Sequence, residues 1–128
     1  MANSHTKLVP IEDRTYAFAL AVVRASRANP PRDQADHVIW NQLLKSGTSA
    51  GANSAESPGS QSKREWLTRR FIALKEMREA LFWLRLLRDV TACDENELEE
   101  LLDESNQLVA ILTTIVRRAR ENEEKSAG

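Results

Sequence analysis

The sequence predicts an all-α chain, an antiparallel up-down-up-down four-helix bundle that assembles into a ring-like homo-oligomer. Three observations carry this prediction. Apolar residues recur at steps of three and four through four separate stretches, the period of an amphipathic helix, and no stretch alternates as a strand does. The stretches are separated by Asn29-Pro30-Pro31, by Ser57-Pro58-Gly59-Ser60 and by a turn near Cys93-Asp94, each short enough to reverse the chain into a neighbouring helix. Finally, Ala80 to Leu87 is apolar nearly all round except for Arg85, more apolar surface than one small chain can cover.

The division that follows is a flexible N-terminal arm over 1–10, the bundle over 11–120 and a charged, flexible tail over 121–128. His5 in the arm reads as a surface residue. The first helix spans Glu12 to Arg27, with Asp13 as N-cap and an inward row of Tyr16, Ala19, Leu20 and Val23. Proline lacks an N–H and restrains its predecessor, so Pro30-Pro31 stops it. The second helix spans Asp33 to Ser57 and organises the chain. Its inward row is Ile39, Leu43, Gly47, Ala50 and Ser54. Gly47, Gly51 and Ala55 fall four apart, a small-residue face that lets another backbone approach closely. Ser62-x-x-Glu65 is a capping-box signature that opens the third helix, which runs to about Thr91. One stripe on it is Trp66, Ala73, Met77, Ala80, Leu84 and Leu87; another is Leu67, Phe71, Leu74 and Leu81. Asp94-x-x-Glu97 opens the fourth, whose seam is Leu98, Leu101, Ser105, Leu108, Leu112, Ile115 and Ala119, widened by Leu102, Val109 and Val116.

Composition narrows the function classes. The chain has 128 residues, 29% charged, with a formal net charge of -1, so attraction to nucleic acid requires local segregation of charge. The lone Cys93 excludes an internal disulfide and fits a reducing compartment, and its acidic neighbours argue against an activated thiolate. No apolar run is long enough to cross a bilayer and no signal peptide is evident, so the cytoplasm is the expected location and no membrane partner is expected.

Catalytic constellations are not evident, and neither an enzyme nor a cofactor is expected. Ser46, Thr48 and Ser49 have no nearby histidine as base and read as hydroxyls bonded back to their own helix. Glu56, Glu76 and Glu79 could hold a divalent ion in a metal-dependent enzyme, but paired surface carboxylates are the plainer reading, and no metal site is expected. Asn53 and Glu56 satisfy buried polar groups or a subunit contact, and Phe82 and Trp83 are aromatic anchors at a core or interface. His37 has no second ligand at metal spacing. Trp40, Trp66 and Trp83 could stack bases, but core or interface use is preferred.

Charge placement is more informative. In an up-down-up-down bundle, one pole collects Lys7, Arg14, Lys63, Arg64, Arg69, Arg70, Arg117, Arg118 and Arg120. The other collects Asp33, Asp36, Asp94, Glu95, Glu97, Glu99, Glu100, Asp103 and Glu104, partly neutralised by Arg24, Arg27, Arg85 and Arg88. Helix macrodipoles account for acids at the start of the fourth helix and arginines at its end. They disfavour four bases in the opening turns of the third. Lys63, Arg64, Arg69, Arg70, Arg117, Arg118 and Arg120 are therefore candidate contacts to RNA or DNA.

The run Gln42-Leu43-Leu44-Lys45-Ser46-Gly47-Thr48-Ser49-Ala50-Gly51-Ala52-Asn53-Ser54-Ala55-Glu56, then Gln61-Ser62-Lys63-Arg64-Glu65-Trp66, then Ile72-Ala73-Leu74-Lys75-Glu76-Met77-Arg78-Glu79-Ala80-Leu81-Phe82-Trp83-Leu84, resembles one family. It is that of the four-helix-bundle proteins from intervening sequences of bacterial 23S ribosomal RNA genes, with the accessory variability protein of diversity-generating retroelements as a relative. The likeness spans about Tyr16 to Val116. Its signature falls on Ser46, Thr48, Ser49, Gly51, Ala52, Asn53, Glu56, Ser62, Glu65, Ala73 and Glu79. Ala50 and Ser54 stand where the family usually has a larger apolar residue, and Gly47 replaces a usual alanine. The resemblance implies a homopentameric barrel and, for the retroelement relatives, partners in nucleic acid and a reverse transcriptase. The expected function is a non-enzymatic, pentameric nucleic-acid-associated protein. The alternative is a structural or adaptor protein that meets a protein partner and has no nucleic-acid affinity.

Overall fold

The computed structural model describes residues 9–90 and 92–127, so His5, Lys7, Thr91 and most of the expected arm lie outside the described residues. Four α-helices and one 3-10 turn are the regular elements among them: α1 (Ile11–Ala28), α2 (Gln34–Glu56), the turn Ser57–Gly59, α3 (Lys63–Asp89) and α4 (Glu95–Ala127). Each helix packs on its neighbour in sequence, and α1 also packs on α4, which closes the set around one core. Phe18, Val22, Leu43, Met77, Leu84, Leu87, Leu108 and Leu112 are fully or almost fully buried at its centre.

The boundaries follow from local chemistry. α2 begins where the Asp33 carboxylate accepts the Asp36 N–H at 2.9 Å. α3 begins where Ser62 Oγ accepts the Glu65 N–H at 3.0 Å, while Glu65 Oε2 accepts the Gln61 N–H at 3.1 Å, so the reciprocal bond reaches one residue further back than in a standard capping box. Asp94 accepts the Glu97 N–H at 3.2 Å at the head of α4. At α1 the expectation is corrected. The helix starts two residues before Asp13, directly after Pro10, whose carbonyl accepts the Asp13 and Arg14 N–H groups with no side-chain cap.

The inward row of α1 is also shifted by one residue. Thr15, Phe18, Val22 and Ala25 are buried, whereas Tyr16 is 66% exposed. Thr15 can enter the core because its hydroxyl donates to the Ile11 and Glu12 carbonyls at 3.0 and 3.1 Å, leaving no stranded donor. The α2 row is as expected: Ile39, Leu43, Gly47, Ala50 and Ser54 are all buried. The small-residue stretch is helical throughout, but Ala55 is exposed. Steps of four overshoot a 3.6-residue turn, so a row spaced by fours drifts off the buried face by its third member.

Three further expectations change. α3 stops at Asp89, and α4 continues through the charged segment to Ala127 where a separate tail was expected after Arg120. Also, Arg14, placed in the basic pole, binds Glu104 of the acidic pole at 2.6 Å and Gln107 at 3.1 Å. With 33 residues against 18, α4 far outruns α1, so the start of α1 lies beside the middle of α4 and the two charge poles interlock there.

Of Ala80 to Leu87, Ala80, Leu84 and Leu87 enter the chain's own core. Leu81, Trp83 and Leu86 are partly buried and Phe82 is 51% exposed, so the outward apolar surface is narrower than the sequence suggests.

Candidate nucleic-acid interface

The first two turns of α3 lie along the last third of α4. Between them is a groove of about 860 Å³ lined by Lys63, Trp66, Leu67, Arg70, Ile115, Arg118, Ala119, Asn122, Glu123 and Ser126. Its position follows from helix length. α1 meets this end of the molecule only through its opening turn, where Glu12 reaches Arg70 at 3.1 Å. The α4 seam, closed at Leu108 and Leu112, therefore opens at Ile115 and Ala119, which are only partly buried.

Arg70 is the unusual residue of the groove. It is 5% exposed, yet it carries a full charge. Nη2 donates to Glu12 Oε2, and the guanidinium carbon lies 5.2 Å from the centre of the Trp66 ring, within cation–π range. Its Nε and Nη1 are buried and meet no acceptor among the described residues. A buried donor without a partner costs on the order of 1–3 kcal/mol, so the guanidinium is only partly compensated.

The seven basic candidates sort into three groups. Lys63, Arg70 and Arg118 line the groove together. Lys63, Arg64 and Arg118 are exposed and make no ion pair among the described residues. Arg69 points away, held by Glu56 at 2.6 Å and, more loosely, by Glu65 at 3.9 Å, while Arg117 approaches Glu121 at 3.9 Å and Arg120 lies 4.9 Å over the Phe71 ring. Surface pairs of this kind contribute little to stability and are easily exchanged for another anion.

The packing candidates divide similarly. Gly47 and Gly51 are buried against α1: a Cβ on Gly47 would meet Phe18 and Val22 at 3.6 Å, and one on Gly51 would meet the Thr15 carbonyl oxygen at 3.2 Å. They serve contact within the chain. Asn53 donates to the Ser49 carbonyl at 3.0 Å on its own helix, and the exposed Glu56 holds Arg69. Phe82 and Trp83 meet edge to face, with ring centres 4.9 Å apart, on the outer side of α3.

The residues considered for chemistry are accounted for locally. Ser46 and Thr48 donate to the Gln42 and Leu44 carbonyls at 3.0 and 2.6 Å. Burial, then the neighbouring Glu79 charge, raise the Glu76 carboxyl above its ordinary range. Burial, reinforced by Glu97, pushes the Cys93 thiol up to about 11. Among the described residues no group of three His, Cys, Asp or Glu side chains could hold a metal ion. No helix among them is long and apolar enough to cross a membrane.

Sequence reasoning assigned Trp66 to the inward stripe and so missed its place in the groove. The i, i+4 spacing of Trp66 and Arg70 on one helix face was the available signal, because that spacing sets a cation over a ring.

Comparison with known proteins supports the fold independently. The family described as 23S rRNA-intervening sequence protein matches residues 9–114. A crystal structure of a protein of unknown function from the S23 ribosomal protein family, from Bacteroides thetaiotaomicron, is similar with a TM-score of 0.75 and 30% identity, covering 84% of this chain and 98% of that one. No curated protein matches the chain. With a match over most of its length and a solved relative of the same architecture, the chain belongs to the 23S rRNA-intervening sequence protein family.

Proposed function

We propose that this is a non-enzymatic nucleic-acid-binding protein, an antiparallel up-down-up-down bundle that assembles into a closed homo-oligomer with five subunits. The observation that carries the binding is the gathering of Lys63, Arg70 and Arg118 on one groove, with the exposed Arg64 next to Lys63 in sequence, in a chain whose net charge is -1. Lys63 and Arg64 are the first two residues of α3, where the helix dipole opposes them, so a benefit other than helix stability is implied. The exposed Phe82 beside Trp83, whose Nε1 is buried without an acceptor among the described residues, supports a subunit contact on the outer side of α3. Each subunit of a ring repeats the groove, which turns a modest local charge into a multivalent surface. The pentameric number and a reverse transcriptase as protein partner rest on family resemblance.

The test is a titration of structured RNA and of duplex DNA at 50 and 200 mM salt, with wild type and a Lys63→Glu/Arg64→Glu/Arg118→Glu variant of unchanged oligomeric mass. For three duplex phosphate contacts, affinity should fall about 40-fold across that range, and the variant should lose binding at both salts. Equal binding by the variant, or none by wild type, refutes this reading and leaves the protein-adaptor role.

A further inference from the structure

We infer that the α3–α4 groove takes one unpaired nucleotide of a nucleic-acid strand, with its base against Trp66 and its phosphate at Lys63 and Arg118; this rests on the nucleic-acid reading above and specifies its ligand.

The chemistry of the lining argues for this occupant. At about 860 Å³ the recess falls within the range of small-ligand sites, about 300–1,000 Å³. Its walls are of two kinds. Trp66, Leu67 and Ile115 offer an apolar, partly aromatic surface; Lys63 and Arg118 offer exposed positive charge at the rim. A nucleotide joins the complementary pair, a flat ring and an anion, within one residue. The recess is also lined by Arg70, more than nine-tenths buried, whose Nε and Nη1 meet no acceptor among the described residues. Those two nitrogens are closed off from the groove, so Arg70 offers an occupant its positive charge and not a free donor. An aliphatic occupant would leave the rim charges of Lys63 and Arg118 unmatched, and free phosphate would leave the aromatic wall unused.

Shape selects against a duplex. Paired bases are stacked inside the helix, so a duplex can bring only its phosphates to the rim of a recess between two packed helices. A base splayed from a loop, bulge or end can enter. Stacking of this kind contributes through the ring face, which every base has, so affinity for unpaired strands follows without a fixed sequence.

The experiment compares a fluorescent oligouridylate with a duplex of the same length, using full-length wild type and Trp66→Leu, and follows the mass of each by light scattering. Wild type should bind the single strand more tightly than the duplex. Trp66→Leu should weaken single-strand binding by about 5- to 150-fold, the range for loss of one base stack, and leave duplex binding and mass unchanged. In parallel, photocrosslinking of wild type to an oligonucleotide carrying 5-iodouracil should place the adduct on the peptide containing Trp66 and Leu67. Equal weakening of both ligands, no weakening, or an adduct elsewhere overturns the nucleotide site while the basic surface stands. A change of mass in Trp66→Leu with no adduct at Trp66 makes the groove a contact between subunits and overturns it too. No binding of either ligand by wild type removes the nucleic-acid reading itself.

Discussion

Replacing Gly47 by alanine should stabilise the protein, and the same change at Gly51 should not. Both glycines lie inside α2 and both face α1. An added Cβ at Gly47 sits 3.6 Å from Phe18 Cε2 and from Val22 Cγ2, ordinary van der Waals distances. The methyl therefore fills space that already exists. Alanine in a helix interior is better than glycine by about 0.8–1 kcal/mol, partly because the unfolded chain has fewer conformations to lose. A net gain of about 1 kcal/mol corresponds to roughly 3–5 °C in melting temperature for a chain of this size. At Gly51 the added Cβ lies 3.2 Å from the Thr15 carbonyl oxygen and 3.4 Å from Ala19 Cβ. The oxygen belongs to helix backbone, so α1 must shift by a few tenths of an ångström, and the intrinsic gain is offset to near zero. Leucine at position 51 overpacks the contact and costs on the order of 1–3 kcal/mol or more. The assay is denaturation followed by helical circular dichroism at one fixed protein concentration, since an assembly melts in a concentration-dependent way. A Gly47→Ala protein less stable than wild type, or a Gly51→Ala protein stabilised as much, would refute the reasoning.

Three other outcomes are expected. Glu12→Gln removes the one carboxylate among the described residues that is bonded to the buried Arg70 guanidinium and should lower stability by on the order of 1–3 kcal/mol, whereas Arg70→Met, which removes the buried charge and keeps an apolar stem, should be close to neutral in the same denaturation assay. The hydrogen bonds from Arg32 hold the Asp36 carboxyl below its ordinary pKa; its stabilising contribution is present above the unfolded value and is lost as pH falls through the lower folded value, so acid titration of melting temperature should show a decline below about pH 4 that Asp36→Asn lacks. With its thiol pushed up to about 11, Cys93 should react with iodoacetamide at pH 8 roughly a hundredfold more slowly than a free cysteine; a rate equal to that of free cysteine would contradict the burial.

The helices, their turns and most of the core were legible because they rest on periodicity and on breakers with fixed chemistry. Pro30-Pro31 and the Ser62 and Asp94 caps act within a few residues, and the structure places helix ends beside each of them. What failed were choices that depend on partners remote in sequence. Tyr16 and Phe18 are comparable candidates for the inward row of α1. Only the position of α1 against Gly47 and Gly51 selects Phe18 and admits Thr15. The same holds for the basic residues. Helical spacing of about 100° per residue already turns Arg69 away from the face shared by Lys63 and Arg70, but their partners, Glu56 for Arg69 and Glu12 for Arg70, are remote in sequence. The groove itself was not legible, because it arises from unequal helix lengths.

That inequality also has a consequence for the order in which the molecule opens. At about 1.5 Å per residue, α4 is roughly 50 Å long and α1 roughly 27 Å. Val116 is the last fully buried residue of α4, and the side chains from Glu121 to Ser126 are all exposed. Amide protection against hydrogen exchange should therefore form a gradient along this one helix. It should be highest around Leu101 to Leu112, where opening requires global unfolding, and lower toward the C-terminal end, where a few turns can detach while the core stays closed. The helix is continuous in structure but not uniform in stability, and the half that borders the groove is the half that opens more readily.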